Sequence, residues 1–220
     1  MGLTLPADRY GFKDAHKGET VWVIGSGSSL DYIPREFFAD KTCVCVNLVG
    51  TTLQLDRFYT VSHYHADAIE VATMRPDLPV IVPENDLGSY LAAAPATEPN
   101  IYHFPTGPQL FGAFDPLRDW PTDPEQLVVG PTSLHMTMHF AAYLGAAHIV
   151  IVGADCGTLD DRSNFAGYSI GDNPFQVWQR VLGMVADQIR ASGTSVHSLN
   201  PFVNFALEGH KFQGPTVTIN

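Results

Sequence analysis

Short, wholly apolar runs recur along this chain, and most are separated by stretches with helical spacing. Residues 21–24 (VWVI) read as a buried strand, and 42–46 (TCVCV), 58–61 (FYTV), 149–152 (IVIV) and 195–199 (SVHSL) as further strands, with shorter candidates at 80–82 and 101–104. Between them, residues 30–38, 65–73, 133–144 and 175–191 carry helical patterns. The first is interrupted by Pro34, and the last repeats apolar residues at Val177, Val181, Leu182, Val185 and Ile189. Strand and helix in alternation predict an α/β fold: a mainly parallel sheet with helices on both faces. The strands at 21–24, 42–46, 58–61 and 149–152 are expected to be neighbours or near neighbours.

Residues 83–131 break the alternation. They are crowded with Pro, Gly and Asp and predict a long irregular excursion covering an edge of the sheet or the site. The chain of 220 residues suits one large domain. Its net charge of −11, from 23 acidic and 12 basic residues without a Lys/Arg cluster, argues against a nucleic-acid partner. Cys43, Cys45 and Cys156 form neither a disulfide framework nor a CxxC pair, which points to a reducing cytoplasm. The N-terminus lacks the apolar core of a signal peptide, and no run reaches the ~18 apolar residues of a membrane span.

The first strand stops at Gly25-Ser26-Gly27-Ser28-Ser29, five residues with almost no side chain, just before a helical pattern. Such a turn lets a phosphate approach main-chain N–H groups at a helix start, with a serine left to cap the helix or bond a ligand oxygen. The alternative is a tight strand-to-helix turn with no ligand. A dinucleotide fingerprint would place Gly at Leu30 and an acidic residue where Asn47 stands, so NAD is disfavoured. The lysine of a P-loop is also missing.

Other candidates lie at predicted strand ends, where parallel sheets place their ligand crevice. Asn47 follows the second strand and is placed either to bond a ribose or base or to form a turn. His63 and His65 follow the third and are candidate general bases, or loop hydrogen-bonding groups. Asp155 is a candidate to hold Mg²⁺ bridging phosphates, to bond a ribose hydroxyl or to cap a turn. Asp160 and Asp161 read as a solvated loop, and Cys156 as buried filler. His135 and His139 lie four apart on a predicted helix but lack the glutamate of the zinc-protease pattern.

Taken together, these segments resemble a known group. The turn Gly25, Gly27, Ser28, Ser29, Leu30, the strand-end Asn47, the pair Thr132-Ser133 opening a helix, Leu144-Gly145, and a strand ending in Gly153-x-Asp155 are similar to the bacterial sialyltransferases. They are equally similar to the related domain of motility-associated glycosyltransferases and of a pterin diphosphokinase. The segment 198–205, SLNPFVNF, resembles the group's last strand and turn. The resemblance implies a Rossmann-like three-layer sandwich in which residues 1–220 form a single nucleotide-binding domain. It implies a CMP- or UDP-linked nucleotide-sugar donor, a glycan or other acceptor, and optional Mg²⁺, and it allows a homo-oligomer. Binding residues would be Gly25, Ser26, Gly27, Ser28, Ser29, Asn47, Thr132, Ser133 and Tyr168, and catalytic residues His63, His65 and Asp155. Two departures stand out: Ser28 replaces a proline, and no histidine lies between His148 and His197, where the sialyltransferases carry their lid base. A Mg-dependent pyrophosphokinase-like phosphoryl transferase and a non-catalytic nucleotide- or glycan-binding module are the alternatives. All three require the turn 25–29, Asn47, His63 and Thr132-Ser133 to meet in one cleft.

Overall fold

A computed structural model describes residues 10–84, 99–106, 120–121, 126–158, 161–168 and 175–199, with main chain only at 175–180. Seven strands form one all-parallel sheet: β1 (Thr20–Ile24), β2 (Thr42–Val46), β3 (Tyr59–Val61), β4 (Val80–Pro83), β5 (Ile101–Phe104), β6 (His148–Val152) and β7 (Ser195–Ser198). Their order is β5-β4-β3-β2-β1-β6-β7. All seven expected strands are present, with ends shifted by a residue or so. β1 is central, with Val21 opposite Thr42 of β2 on one side and Ile149 of β6 on the other.

Alternation along the strands feeds two separate cores. Val21, Val23, Val44, Ile81, Phe104, Ile149 and Ile151 face one way. There they meet Met136 and Phe140 of helix α3 (Ser133–Tyr143) and Val181, Leu182, Val185 and Ile189 of helix α4 (Phe175–Ala191). The side chain of Val177 lies outside the described residues. Ile24, Cys43, Cys45, Val80, Val82 and Val152 face the other way. They are covered by Val49 of the short helix α1 (Val49–Thr52) and by Ala68, Val71 and Ala72 of helix α2 (His65–Met74). This is a three-layer α/β sandwich of Rossmann-like kind. The apolar runs have no polar alternation because both sheet faces are covered.

The expected helix at 30–38 is instead two 3₁₀ turns, Ser28–Tyr32 and Arg35–Phe38. Pro34, at φ −64° and ψ 140°, separates them, since proline disfavours helical backbone in the residue before it and cannot donate to the preceding turn. The four-residue α1 carries no apolar periodicity and was not anticipated. The excursion at 83–131 is less irregular than its composition suggests: it contains β5, a parallel bridge from Thr106 to Leu127, and the fully buried Leu127 and Val128. Residues 85–98, 107–119 and 122–125 lie outside the described residues. Among the described residues, no helix is long and apolar enough to cross a membrane.

Candidate functional site

The chain turns one way from β1 into β2 and returns on β1's other side as β6, so the loops after β1 and β6 diverge across the middle of the sheet. In open parallel sheets this switch point is where a crevice opens at the strands' C-terminal ends. A cleft is found there, enclosing about 550 Å³ with its open mouth included. Gly25, Ser26 and Gly27 line it from the β1 end, Asn47 from the β2 end, Thr132 and Ser133 from the start of α3, and Asp155 from the β6 end. Val46, Leu134, Gly153, Ala154, Cys156, Ser163 and Asn164 complete the lining. Among the described residues, the lining contains one carboxylate and neither lysine nor arginine.

On the β1–β6 side, main chain meets main chain. The Gly25 N–H donates to Val152 O at 2.8 Å and the Gly27 N–H to Gly153 O at 2.5 Å. A Cβ on Gly25 would strike the Gly153 carbonyl. Gly27 has an ordinary extended backbone, φ −66° and ψ 152°, so its lack of a side chain is not a matter of backbone freedom. A Cβ there would lie 2.6 Å from the Asp155 carboxylate and 2.8 Å from Gly153 O. The glycines are required because two loops pack in contact.

Asp155 supplies what Gly27 lacks. Gly27 occupies the N-cap position of the 3₁₀ turn Ser28–Tyr32 without a capping side chain. Asp155, 126 residues downstream of Ser29, accepts the Ser29 N–H at 2.8 Å and the Ser29 hydroxyl at 2.5 Å. A carboxylate accepting N–H groups at a helical start has the role of an N-cap, delivered here from another strand. Of the N–H groups offered to a phosphate, those of Gly25, Gly27 and Ser29 have partners within the protein. The anion at this turn is Asp155 itself. Ser28 is fully buried and donates to Arg162 O at 2.8 Å, and Ser26 donates to Asn164 Oδ1 at 3.1 Å.

The opposite side is held by side chains. Asn47 ends β2 in the left-handed region, φ 46°, a conformation asparagine tolerates better than most residues. Its Oδ1 accepts the Ser62 hydroxyl at 2.9 Å and the Ser133 hydroxyl at 2.9 Å, and its side chain also hydrogen-bonds the Tyr168 hydroxyl. Burial pushes Tyr168 up to about 12, so the hydroxyl keeps its proton. Thr132 caps α3, and its N–H and hydroxyl both meet His135 Nδ1, at 3.3 and 3.0 Å, in a capping box with histidine in the usual glutamate position. Asn47 is therefore chiefly a tie between β2, β3, α3 and Tyr168, with its amide facing the cleft.

The structure places the expected residues unevenly. Gly25, Ser26, Gly27, Asn47, Thr132, Ser133 and Asp155 converge on the cleft, whereas Ser28, Ser29 and Tyr168 support its walls. His63 joins them through its N–H, which donates to Ser133 Oγ at 3.3 Å, but its ring is buried and does not line the cleft. Burial, reinforced by neighbouring His135, lowers its pKa to about 3, leaving a neutral ring that is a weak proton acceptor at neutral pH. His65 sits on the first turn of α2 with its ring edge-on to His103 of β5, 6.2 Å between centroids. His139 accepts the Val128 N–H at 2.8 Å and packs on Trp120, and burial lowers its pKa to about 4. No group of three potential metal-binding side chains occurs among the described residues. Asp161 is exposed as expected, and Asp160 lies outside the described residues.

The sequence reading missed Ser163 and Asn164 as cleft residues. Their signal is weak but present: small polar residues that follow the Gly-Ala-Asp strand end and precede Tyr168. Cys156, read as filler, does line the cleft, and burial next to Asp155 pushes its thiol up to about 12. Comparison of the chain with protein-family models, curated proteins and solved structures found no match.

Proposed function

We propose that the switch-point cleft binds a nucleotide-activated sugar carrying a single phosphate, as in a CMP-linked donor, and that the protein is a glycosyltransferase-like enzyme. The observation that carries this reading is the lining: many neutral hydrogen-bonding groups and one carboxylate, and among the described residues no basic side chain. Ribose and sugar hydroxyls are read by such groups, and a carboxylate is a strong acceptor for hydroxyls. The start of α3 suits the phosphate better than the turn at 25–29. Thr132 and Ser133 line the cleft there, and the first-turn N–H groups of Ser133 and Leu134 have no intrahelical partner, while those of Thr132 and His135 are taken by the capping box. At 25–29 a phosphate would instead face Asp155.

Mg²⁺ is usually held through one or two carboxylates plus substrate phosphates. Among the described residues, Asp155 is the single carboxylate of the lining, and Ser29 engages both of its oxygens. The UDP-linked donor and the Mg-dependent pyrophosphokinase reading rank lower for that reason. One observation favours a non-catalytic binding module as the second reading: His63 is a weak base and His65 points to β5, so neither histidine offers a base to the cleft.

Calorimetry of the full chain with CMP, UDP and ATP, each with and without Mg²⁺, tests the ligand class. Release of CMP from a CMP-linked sugar, with and without a glycan acceptor, then tests transfer. CMP binding with turnover is the expected result. Binding without turnover selects the module, and failure of every nucleotide to bind defeats both readings.

A further inference from the structure

Beside the cleft, residues 161–168 cross over the turn after β1. The Phe165 N–H donates to Ser26 O at 3.1 Å, and the Ser26 hydroxyl to Asn164 Oδ1 at 3.1 Å. The Ser28 hydroxyl donates to Arg162 O at 2.8 Å. Asp31, on the 3₁₀ turn Ser28–Tyr32, accepts the Ala166 N–H on Oδ1 at 2.9 Å and Arg162 Nη1 on Oδ2 at 2.5 Å. Phe165 is buried beneath this seam and stacks on Tyr168, 5.4 Å between centroids. The stretch that contributes Ser163 and Asn164 to the cleft is thus docked on the glycine turn through polar contacts at four of its residues. Asp31 is the one side chain in that seam that grips the stretch at two points on either side of Asn164.

We propose that Asp31, which does not line the cleft, is a positioning residue that fixes residues 161–168 as one wall of the ligand site. The physical case is geometric. Ser26 and Ser28 each offer a single hydroxyl, whereas the two oxygens of Asp31 hold a main-chain N–H and a guanidinium four residues apart. Charge-assisted bonds of this kind are roughly twice as strong as neutral ones. Asp31 is 22% exposed at its side chain and Arg162 44%, so the pair belongs to the rim and its loss leaves both cores intact. With Asp31 removed, Asn164 and Ser163 lose their fixed height above Gly25 and Gly27. Any ligand relying on that wall then has to order it on binding.

The structural part of this inference needs no ligand, and the binding part rests on the proposed nucleotide reading. Hydrogen–deuterium exchange of the full chain, wild type against Asp31→Ala, reads the first. The Ala166 amide is expected to exchange at least ten-fold faster, with β1 and β6 amides unchanged. Asp31→Asn keeps an acceptor for Ala166 and loses the charge pair, so it is expected to fall between the two. Arg162→Gln, which leaves the Ala166 bond in place, provides a second variant with the same intermediate expectation. An unchanged Ala166 rate, or an equal rise across β1 and β6, overturns the proposal. For the second part CMP is the probe: Asp31→Ala is expected to weaken it about ten-fold through faster dissociation, with association unchanged. Equal CMP dissociation rates in variant and wild type overturn the positioning role. If CMP fails to bind wild type, the single-phosphate donor reading fails, and the exchange data alone decide the role of Asp31.

Discussion

On one side of the cleft Gly25, Gly27 and Gly153 bring two main chains into contact; on the other, Asn47, Ser62, Ser133 and Tyr168 meet through side chains. The first side has no spare volume. An added Cβ on Gly25 meets the Gly153 carbonyl oxygen, which cannot swing away as a side chain does, and one on Gly27 meets both that carbonyl and the Asp155 carboxylate. The second side consists of hydroxyl and amide groups that can exchange partners with a ligand. Close backbone packing gives a rigid reference surface, and an exchangeable network beside it gives room for recognition. Sites held at fixed geometry are built in this way, with the responsive groups set on a frame that does not move.

The sharpest way to break this contrast is Gly25→Val. The new Cβ overlaps the Gly153 carbonyl and separates β1 from β6 at the switch point, so a loss of about 3 kcal/mol or more is expected, as for strained overpacking. Urea unfolding reads it, and a loss under about 1 kcal/mol would show that the two loops can part.

Acid should act next, through His139 of α3 and the buried His63, whose N–H bonds Ser133 of α3. His63 and His139 have folded pKa values near 3 and 4, below the unfolded value of 6.5. The unfolded chain therefore binds more protons below pH 6.5. Their contribution to stability is complete above pH 6.5 and is lost as pH falls toward 4 and then 3. The limiting slope is about 1.4 kcal/mol per pH unit for each histidine. Unfolding midpoints measured from pH 7.5 to 5 should fall, and His63→Gln and His139→Gln should each flatten the curve. A flat wild-type curve contradicts the buried neutral histidines.

Asp155→Ala removes the remote cap and leaves the Ser29 N–H without its acceptor, for about 2 kcal/mol. Asp155→Asn should cost less, because one amide oxygen still accepts. Equal losses in the two variants would mean that the charge, not the acceptor, is what Ser29 needs.

On the softer side, Ser133→Ala deletes the bond to Asn47 and the acceptor of the buried His63 N–H, and should cost about 1–2 kcal/mol of stability. In the proposed site it should weaken CMP more than it lowers stability, which titration calorimetry of the folded variant reads directly. At the smallest end, Arg35→Ala breaks an exposed pair with Glu36 far from either wall and should stay within about 0.5 kcal/mol. A larger effect there would show that the contrast between the walls is not specific to the cleft.

Much of this frame was legible before any coordinates. Residues 42–46 and 149–152 contain no polar alternation, and a strand that is apolar throughout needs cover on both faces. Gly25, Asn47 and Asp155 stood out because strand ends are where a parallel sheet leaves space. What the residue types did not reveal was their partners. Asp155 read as a metal ligand, a ribose ligand or a turn cap, and what residue type could not say is that it caps Ser29 from 126 residues away. His63 read as a strand-end base or a loop hydrogen-bonding group, and it is a buried neutral ring whose N–H bonds Ser133. Asp31 carried no signal, because a carboxylate one residue past an apolar Leu30 is common on any short helix.

Local chemistry settled by neighbours in sequence was determined by the chain alone. The apolar strands, the break at Pro34 and the Thr132 start of α3 each follow from contacts within a few residues. The strand order, and with it the meeting of the turn after β1 with the turn after β6, was decided only by tertiary structure. Gly27 and Asp155 are separated by more than half the chain, and no local propensity encodes that the space beside one must be empty for the other. The glycines read as an invitation to a phosphate because small residues bare the backbone; the fold answers with a carboxylate from β6, since parallel pairing of β1 with β6 delivers both strand ends to the same place.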